Sequence, residues 1–304
     1  MRAYTANPSM GVNGDHTGGV VGFINILRGI VDRTRPSKVV IAWEGGGSSR
    51  RRALFKDYKA NRRPAKLNRF YEDDIPDSDE NKTQQVIELT KLLRNLPVTQ
   101  VYVADVEGDD VIAWLCTSRY REDRKLIISS DKDLYQLLDH RTVVYSLGRK
   151  IFITAPDVLR LHHVSVANFA LAKALSGDPG DNIPGVPGVG FKTIAKRFPS
   201  MVDDEELSVA DILDECRVNA EKKHHPKAYD DVLASADLVV RNLKLVDLRN
   251  NQMISHHHAT KIDGTIDTCQ ASFNKMGMVR GLISLGITNV DVDGLWGAFR
   301  HLAL

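Results

Sequence analysis

The chain has 304 residues, 42% of them hydrophobic, with 41 Lys and Arg against 39 Asp and Glu. That is enough to bury a full core, as one large domain or one domain with an appendage. No apolar run reaches about 18 residues and no basic-apolar-small leader opens the chain, so a membrane span and secretion are not expected. Cys116, Cys216 and Cys269 are too few and too scattered for a disulfide framework or a zinc ribbon, which fits a reducing cytosol.

In chain order, residues 1–16 are irregular and rich in Asn, Gly and Ser. Thr17 is then expected to cap an amphipathic helix with Val20, Val21, Phe23, Ile24, Leu27, Ile30 and Val31 on one side, ending before Pro36. Residues 38–43 read as a strand with Glu44 at its carboxyl end. An α/β chain ordinarily opens on a strand, and here none precedes the first helix.

Composition changes from residue 45. A Gly/Ser run leads into Arg50, Arg51, Arg52, Lys56, Lys59, Arg62, Arg63, Lys66 and Arg69, interleaved with Phe55, Tyr58 and Phe70. A solvated charged helix is the usual meaning of such a run, but only Asp57 is present to balance it. Basic residues with aromatics at this density read as a surface that tracks phosphates. The acidic residues 71–81 that follow read as a mobile loop without chemistry.

A helix over 82–95 leads into two apolar runs, 98–103 and 126–128, with the length and β-branching of buried strands. Each ends in carboxylates: Glu107, Asp109 and Asp110 after the first, Asp131 and Asp133 after the second. In an open parallel sheet, sites lie at the carboxyl ends of strands. Two like charges 4 Å apart repel by about 4 kcal/mol at an effective dielectric near 20, so such a cluster calls for cations. With no neighbouring Cys or His, hard oxygen-seeking Mg²⁺ or Mn²⁺ fits better than zinc. The bland alternative makes Asp109 and Asp110 helix-terminus acids and Asp131 a cap. Two clusters at the ends of two successive strands favour a metal site.

Beyond them come a short helix at 134–138, a hairpin-like pair at 143–146 and 151–153, a helix announced by Thr154 and Asp157, and another at 168–175. Residues 175–193 then carry Asp178, Asp181, Gly185, Gly188, Gly190, Lys192 and Thr193 in a Gly/Pro-rich loop that feeds a helix. Free backbone N–H groups beside Lys192 suit a nucleic-acid phosphate, and the spacing G-V-P-G-V-G-x-K is more specific than a plain turn. Residues 253–304 show a helical pattern through Phe273, Met276, Met278, Leu282, Ile283 and Leu285, read as packing. His256, His257 and His258 read as an exposed loop tract outside the site.

Y-K-A-N-R at 58–62, E-G-D-D at 107–110, S-x-D-K-D-L-Y-Q-L at 129–137 and G-D-x-x-D-N-I-P-G-V-x-G-V-G-x-K-T at 177–193 together resemble the 5′ nuclease family. That family includes phage 5′-exonucleases, flap endonucleases and the 5′ nuclease domain of bacterial DNA polymerase I, and the likeness runs from Arg2 to about Leu248. It implies an α/β, PIN-like 5′ nuclease fold: a central, mostly parallel sheet flanked by helices, a basic helical arch and a helix-three-turn-helix region. The divisions it implies are 1–160 for the core, with the arch at about 45–81, 161–250 for the helix-three-turn-helix region and 251–304 for a helical extension.

The resemblance also implies roles. Glu107 and Asp109, with Glu44 and nearby Asp110, would surround one metal ion, and Asp131, Asp133, Asp178 and Asp181 the second. Lys59 and Arg62 would approach the scissile phosphate. Arg50, Arg51, Lys56, Tyr58, Gly185, Gly188, Gly190, Lys192 and Thr193 would contact DNA. Two Mg²⁺ or Mn²⁺ ions are implied, with K⁺ at the helix-three-turn-helix loop. The implied partner is DNA at 5′ flaps, nicks and duplex ends, and RNA–DNA hybrids, handled by a monomer in the cytoplasm during replication or repair.

Two departures stand out. Glu44 occupies a position where the family commonly has Asp. The family's first strand and its terminal Asp have no counterpart before Arg2, and the expectation is that an in-frame start lies upstream of Met1. Three functions follow as expectations: a two-metal 5′-3′ exonuclease or flap endonuclease, an accessory DNA-binding protein that lost turnover with that Asp, and, least favoured, a PIN-like ribonuclease.

Overall fold

A computed structural model describes residues 7–61, 79–270 and 272–303. Arg62, Arg63, Lys66, Arg69 and the acidic residues 71–78 lie outside the described residues. The elements run α1 (Gly18–Thr34), β1 (Val40–Ala42), α2 (Ser49–Leu54), α3 (Asp79–Leu93), β2 (Thr99–Val101), α4 (Gly108–Trp114), β3 (Lys125–Ile128), β4 (Thr142–Ser146) and β5 (Ile151–Ile153). After them come α5 (Ala155–His162), α6 (Phe169–Ser176), α7 (Phe191–Arg197), α8 (Val209–Ala220), α9 (Lys227–Ala234), α10 (Ala236–Val246), α11 (His256–Thr268), α12 (Lys275–Ser284) and α13 (Val292–Phe299). No described helix is long and apolar enough to cross a membrane.

β1 and β2 are shorter than the apolar runs 38–43 and 98–103. Among the described residues the strands form two small sheets, β1 with β2, and β3-β4-β5, rather than one large one. β4 lies parallel to β3 and antiparallel to β5, so the expected hairpin is present at the edge of a parallel pair. α5 starts where Thr154 and Asp157 predicted: the Asp157 carboxylate accepts from the Thr154 N–H (3.0 Å) and hydroxyl (2.7 Å). Thr17 does sit at the N-cap of α1, but its hydroxyl donates to the Ser9 carbonyl instead of capping. The His256–His258 tract opens α11 rather than a loop.

The chain divides into two compact units, residues 1–41, 63–101 and 264–304 forming one and 42–62 and 102–263 the other. The divisions expected near residues 160 and 250 fall inside the second unit. In the first unit α1 packs on α3 and α13, and α12 packs on α3. The apolar stripe of α1 turns Val20, Val21, Ile24 and Val31 into this core. Gln85 of α3 accepts from the Gly19 N–H at 2.8 Å, occupying one of the donors left free at the start of α1. On α12, Met278 and Leu282 are buried while Met276 and Ile283 are exposed, so the helical pattern read from sequence is only half a packing face.

The second unit holds two apolar clusters. One gathers α6, α7 and α10 around Leu175, Ile194, Phe198 and Leu245; the other gathers Ile127, Leu134, Val144, Ile153 and Phe169. Two buried amides fasten the loops that carry acids to this core. Asn242 donates to the carbonyls of Ala174 (3.0 Å) and Pro184 (2.7 Å), and Gln136 bonds the Asp133 carbonyl (2.8 Å), the Val246 carbonyl (3.1 Å) and the Leu248 N–H (2.9 Å). Neither side chain is more than 1% exposed, so each amide must be satisfied where it sits, and this fixes the backbone on both sides.

Candidate metal centre and nucleic-acid interface

All the described acids expected at the site belong to the second unit. Glu107, Gly108 and Asp109 stand at the start of α4, where the Gly108 N–H donates to the Glu44 carboxylate at 3.3 Å. Asp109 is the most perturbed acid among them. Burial above all, then the negative charges of Asp131, Glu44 and Asp133, push it up to about 8, with Lys59 pulling the other way. Asp133 is raised as well, by burial first, although Lys173 opposes this.

Lys173 was missed in the sequence because it lies within the apolar α6. Its ammonium donates to Asp133 and, at 2.7 Å, to Asp178. Burial works against its charge, but the two carboxylates win and hold its pKa above the ordinary lysine value. Asp178 is held low by Lys173 despite its own burial. A lone cation in an apolar helix, five residues before Asp178, is the signal that could have revealed it.

The other acids are engaged differently from the expectation. Arg51, read as part of a phosphate-tracking surface, is 3% exposed. It donates to Asp110 at 2.5 and 2.7 Å, to Glu107 at 3.4 Å and to the Leu245 carbonyl at 2.9 Å. A buried guanidinium needs such a set of acceptors, and it leaves Asp110 fully occupied. Tyr58 is buried too; its hydroxyl donates to Glu107 at 2.9 Å and lies 3.2 Å from Asp181. Burial, then the acids around it, raise its pKa even against the pull of Arg51. The spacing 51, 55, 58 marks one inward face, and the exposed Arg50 and Lys56 lie off it.

Lys59 follows with a left-handed φ of 57° and its Nζ 2.6 Å from Glu107 and 3.7 Å from Asp181. Its backbone N–H donates to the Asp181 carbonyl at 2.9 Å, and Asn182 donates to the Asp57 carbonyl at 2.8 Å. The basic segment is therefore pinned to the loop that carries Asp178 and Asp181. Arg62 lies outside the described residues.

That loop folds back on itself, with Asp178 and Ile183 exchanging backbone hydrogen bonds at 2.8 Å. Gly185 is required there, because a Cβ would fall 2.2 Å from the Ser176 carbonyl oxygen; Gly188 has a φ of +74°. Gly190 occupies the N-cap of α7 in open space, Lys192 is exposed, and the Thr193 hydroxyl donates to the Gly188 carbonyl at 2.9 Å.

Among the described residues no three His, Cys, Asp or Glu side chains stand together closely enough to hold an ion without rearranging. The donor set still fits a hard divalent cation: it is all oxygen, and the raised Asp109 marks its repulsion by Asp131 and Glu44, and by Asp133, which is itself paired with Lys173. Glu107 and Asp110 are already neutralised by Arg51 and Lys59.

With this geometry in view, the chain was compared with known proteins. It is 29% identical over 245 residues to DNA polymerase I of Bacillus subtilis, a match spanning 78% of this chain but 26% of the polymerase. It is 32% identical over 177 residues to the flap endonuclease Xni of Shewanella oneidensis, covering 55% of this chain and 62% of that protein. The chain thus spans about a quarter of the polymerase relative. Among solved structures, the bacteriophage T5 D15 flap endonuclease in a pseudo-enzyme-product complex with DNA and metal ions superposes with a TM-score of 0.62. That match has 21% identity and covers 88% of this chain and 89% of that one, which establishes the shared mixed α/β fold. The model of the 5′-3′ exonuclease, N-terminal resolvase-like domain matches residues 1–163, more than half of the 304, and the chain belongs to that family.

Proposed function

We propose that the chain is a divalent-metal-dependent 5′-3′ exonuclease and flap endonuclease that hydrolyses DNA phosphodiesters to 5′-phosphates and 3′-hydroxyls. One observation carries the reading: the carboxyl groups of Glu44, Asp109 and Asp131 repel one another in one place, with Asp133 and its partner Lys173 beside them and Lys59 opposing the repulsion. Asp109 and Asp131, supported by Glu44 and Asp133, would hold Mg²⁺ or Mn²⁺. Bound there, two ions supply an activated water and charge neutralisation at the leaving oxygen.

The chain's own groups do the rest. Lys59 supplies positive charge to the scissile phosphate, and Arg62 joins it on the strength of the resemblance alone. Glu107 and Asp110, held by Arg51, serve as a rigid base that sets Lys59 and the start of α4 in position. Asp178 and Asp181 anchor Lys173 and the basic segment, and with Asp131 and Asp133 would stand around the second ion. Gly185, Gly188, Gly190, Lys192 and Thr193 form the duplex grip of a helix-three-turn-helix with K⁺ at its loop, and exposed Arg50 and Lys56 extend the basic surface. The substrates would be 5′ flaps, nicks and duplex ends, including RNA–DNA hybrids, met by a monomer inside the cell during replication or repair.

The test is Asp131→Asn with Asp133→Asn on a 5′-flap substrate in Mg²⁺ and in Mn²⁺. Cleavage should be lost while flap affinity stays within a few-fold. Parental cleavage by the double variant, or a wild-type protein that binds flaps and cleaves none of them, would overturn the proposal.

A further inference from the structure

The basic segment enters α2 through Gly45, Gly46 and Gly47, which have no side chains to hold them and, at Gly46 and Gly47, positive φ angles of 89° and 110°. Glycine loses more backbone freedom on ordering than any other residue, so such an entry has to be fastened from outside. One residue does this at both ends. Asp105, in the loop between β2 and α4, donates its N–H to the Gly45 carbonyl at 2.8 Å, and Gly45 donates in turn to the Val106 carbonyl at 2.9 Å. The Asp105 carboxylate reaches past the run to Ser49, the first residue of α2, accepting from its N–H at 2.7 Å and from its hydroxyl.

This contact differs from an ordinary helix cap in two ways. Ser48 already caps α2, its hydroxyl accepting from the Arg51 N–H at 3.2 Å. Asp105 also holds a left-handed φ of 62°, a conformation uncommon outside glycine that persists where the surroundings over-determine it. Arg52, half exposed and 3.6 Å away, adds little to the hold. Two residues beyond Asp105 stands Glu107, which receives Arg51, Tyr58 and Lys59. A helix as short as α2, pinned at Arg51 alone, could pivot about that point, and a second hold at Ser49 removes the pivot.

We propose that Asp105 is a positioning residue: by holding Ser49 it sets α2 against the start of α4, and so fixes where Lys59 meets the scissile phosphate. This rests on the nuclease reading above and adds to it a residue that acts only through another.

The test compares Asp105→Gly with Asp105→Asn in the full chain. Both replacements suit a left-handed φ, so they differ in whether an oxygen still reaches the Ser49 N–H. On a saturating 5′-flap in Mg²⁺, Asp105→Gly should cleave on the order of ten-fold more slowly, while Asp105→Asn stays near the parental rate. Affinity for a flap with a non-hydrolysable scissile linkage should stay within about two-fold of the parent in both, since only the reacting geometry is disturbed. Added to Lys59→Ala, Asp105→Gly should cost little more. Deuterium exchange at the Ser49 amide should quicken in Asp105→Gly alone.

Parental cleavage by Asp105→Gly would overturn the proposal. So would an Asp105→Asn that is equally slow, and so would a full multiplicative loss on top of Lys59→Ala, the mark of general damage. Unchanged Ser49 exchange in Asp105→Gly would overturn the hold itself. A wild-type protein that cleaves no flap would instead overturn the nuclease reading, and the proposal with it; the Ser49 exchange, which needs no substrate, tells the two failures apart.

Discussion

Arg51 and Lys173 show how much of the site depends on cations that face inward. Arg51 is buried with two carboxylates and a backbone carbonyl as acceptors. Removing one member of a buried ion pair costs about 3–5 kcal/mol, because the partner keeps its desolvation cost. Arg51→Met is therefore expected to destabilise the protein by that amount in urea unfolding, and Arg51→Met with Asp110→Leu should recover most of the loss. Asp109 gives the opposite pH signature. Its folded value of about 8 lies above the ordinary 3.8, so between about pH 4 and about pH 8 the folded state keeps a proton that the unfolded chain has released. Stability in chelator should fall as pH rises through that window. Asp109→Asn should flatten the slope, and a saturating divalent ion should reverse it, both read from thermal midpoints. These acids were legible in the sequence because they follow apolar strands. Arg51, Tyr58 and Lys173 were not, because a linear run of charges does not say which side chains turn inward.

Among the elements, those with local signals were read best. The β4–β5 pair, the start of α5 and the helix after Gly190 follow from turn residues and caps that act within a few positions. The sheets were over-read, since an apolar run marks burial and not the number of rungs in a ladder: residues 98–103 contribute only Thr99–Val101 to β2. Gln136 and Asn242 were invisible as determinants, because their partners lie roughly 60 to 110 residues away. The loop between α6 and α7 depends on close backbone approach as well as on its acids. Gly185→Ala would set a Cβ 2.2 Å from the Ser176 carbonyl oxygen. We expect a cost of about 1–3 kcal/mol and weaker duplex binding at equal salt, measured by denaturation and by titration of a blunt duplex. Unchanged stability would mean that the loop yields more readily than its packing indicates.

At the scale of the whole molecule, the first unit is assembled from three stretches, 1–41, 63–101 and 264–304, while the second is closed by residue 263. Order of synthesis therefore differs from order of completion. As the chain leaves the ribosome, α1 and α3 emerge early, yet α12 and α13, which pack on them, follow only after the second unit has been made. Val20, Ile24, Leu92 and Leu93, buried in the folded unit, are expected to keep part of their apolar surface uncovered until residues 264–304 have been made. Hydrogen exchange on chains stalled near residue 263 should find α6 and α10 protected and α1 and α3 open, and release of residues 264–304 should close them. Equal protection of α1 before and after release would show that its partners can be dispensed with. A chain broken off before residue 264 is then expected to offer this apolar surface to proteases, so α12 and α13 act as a seal on the first unit.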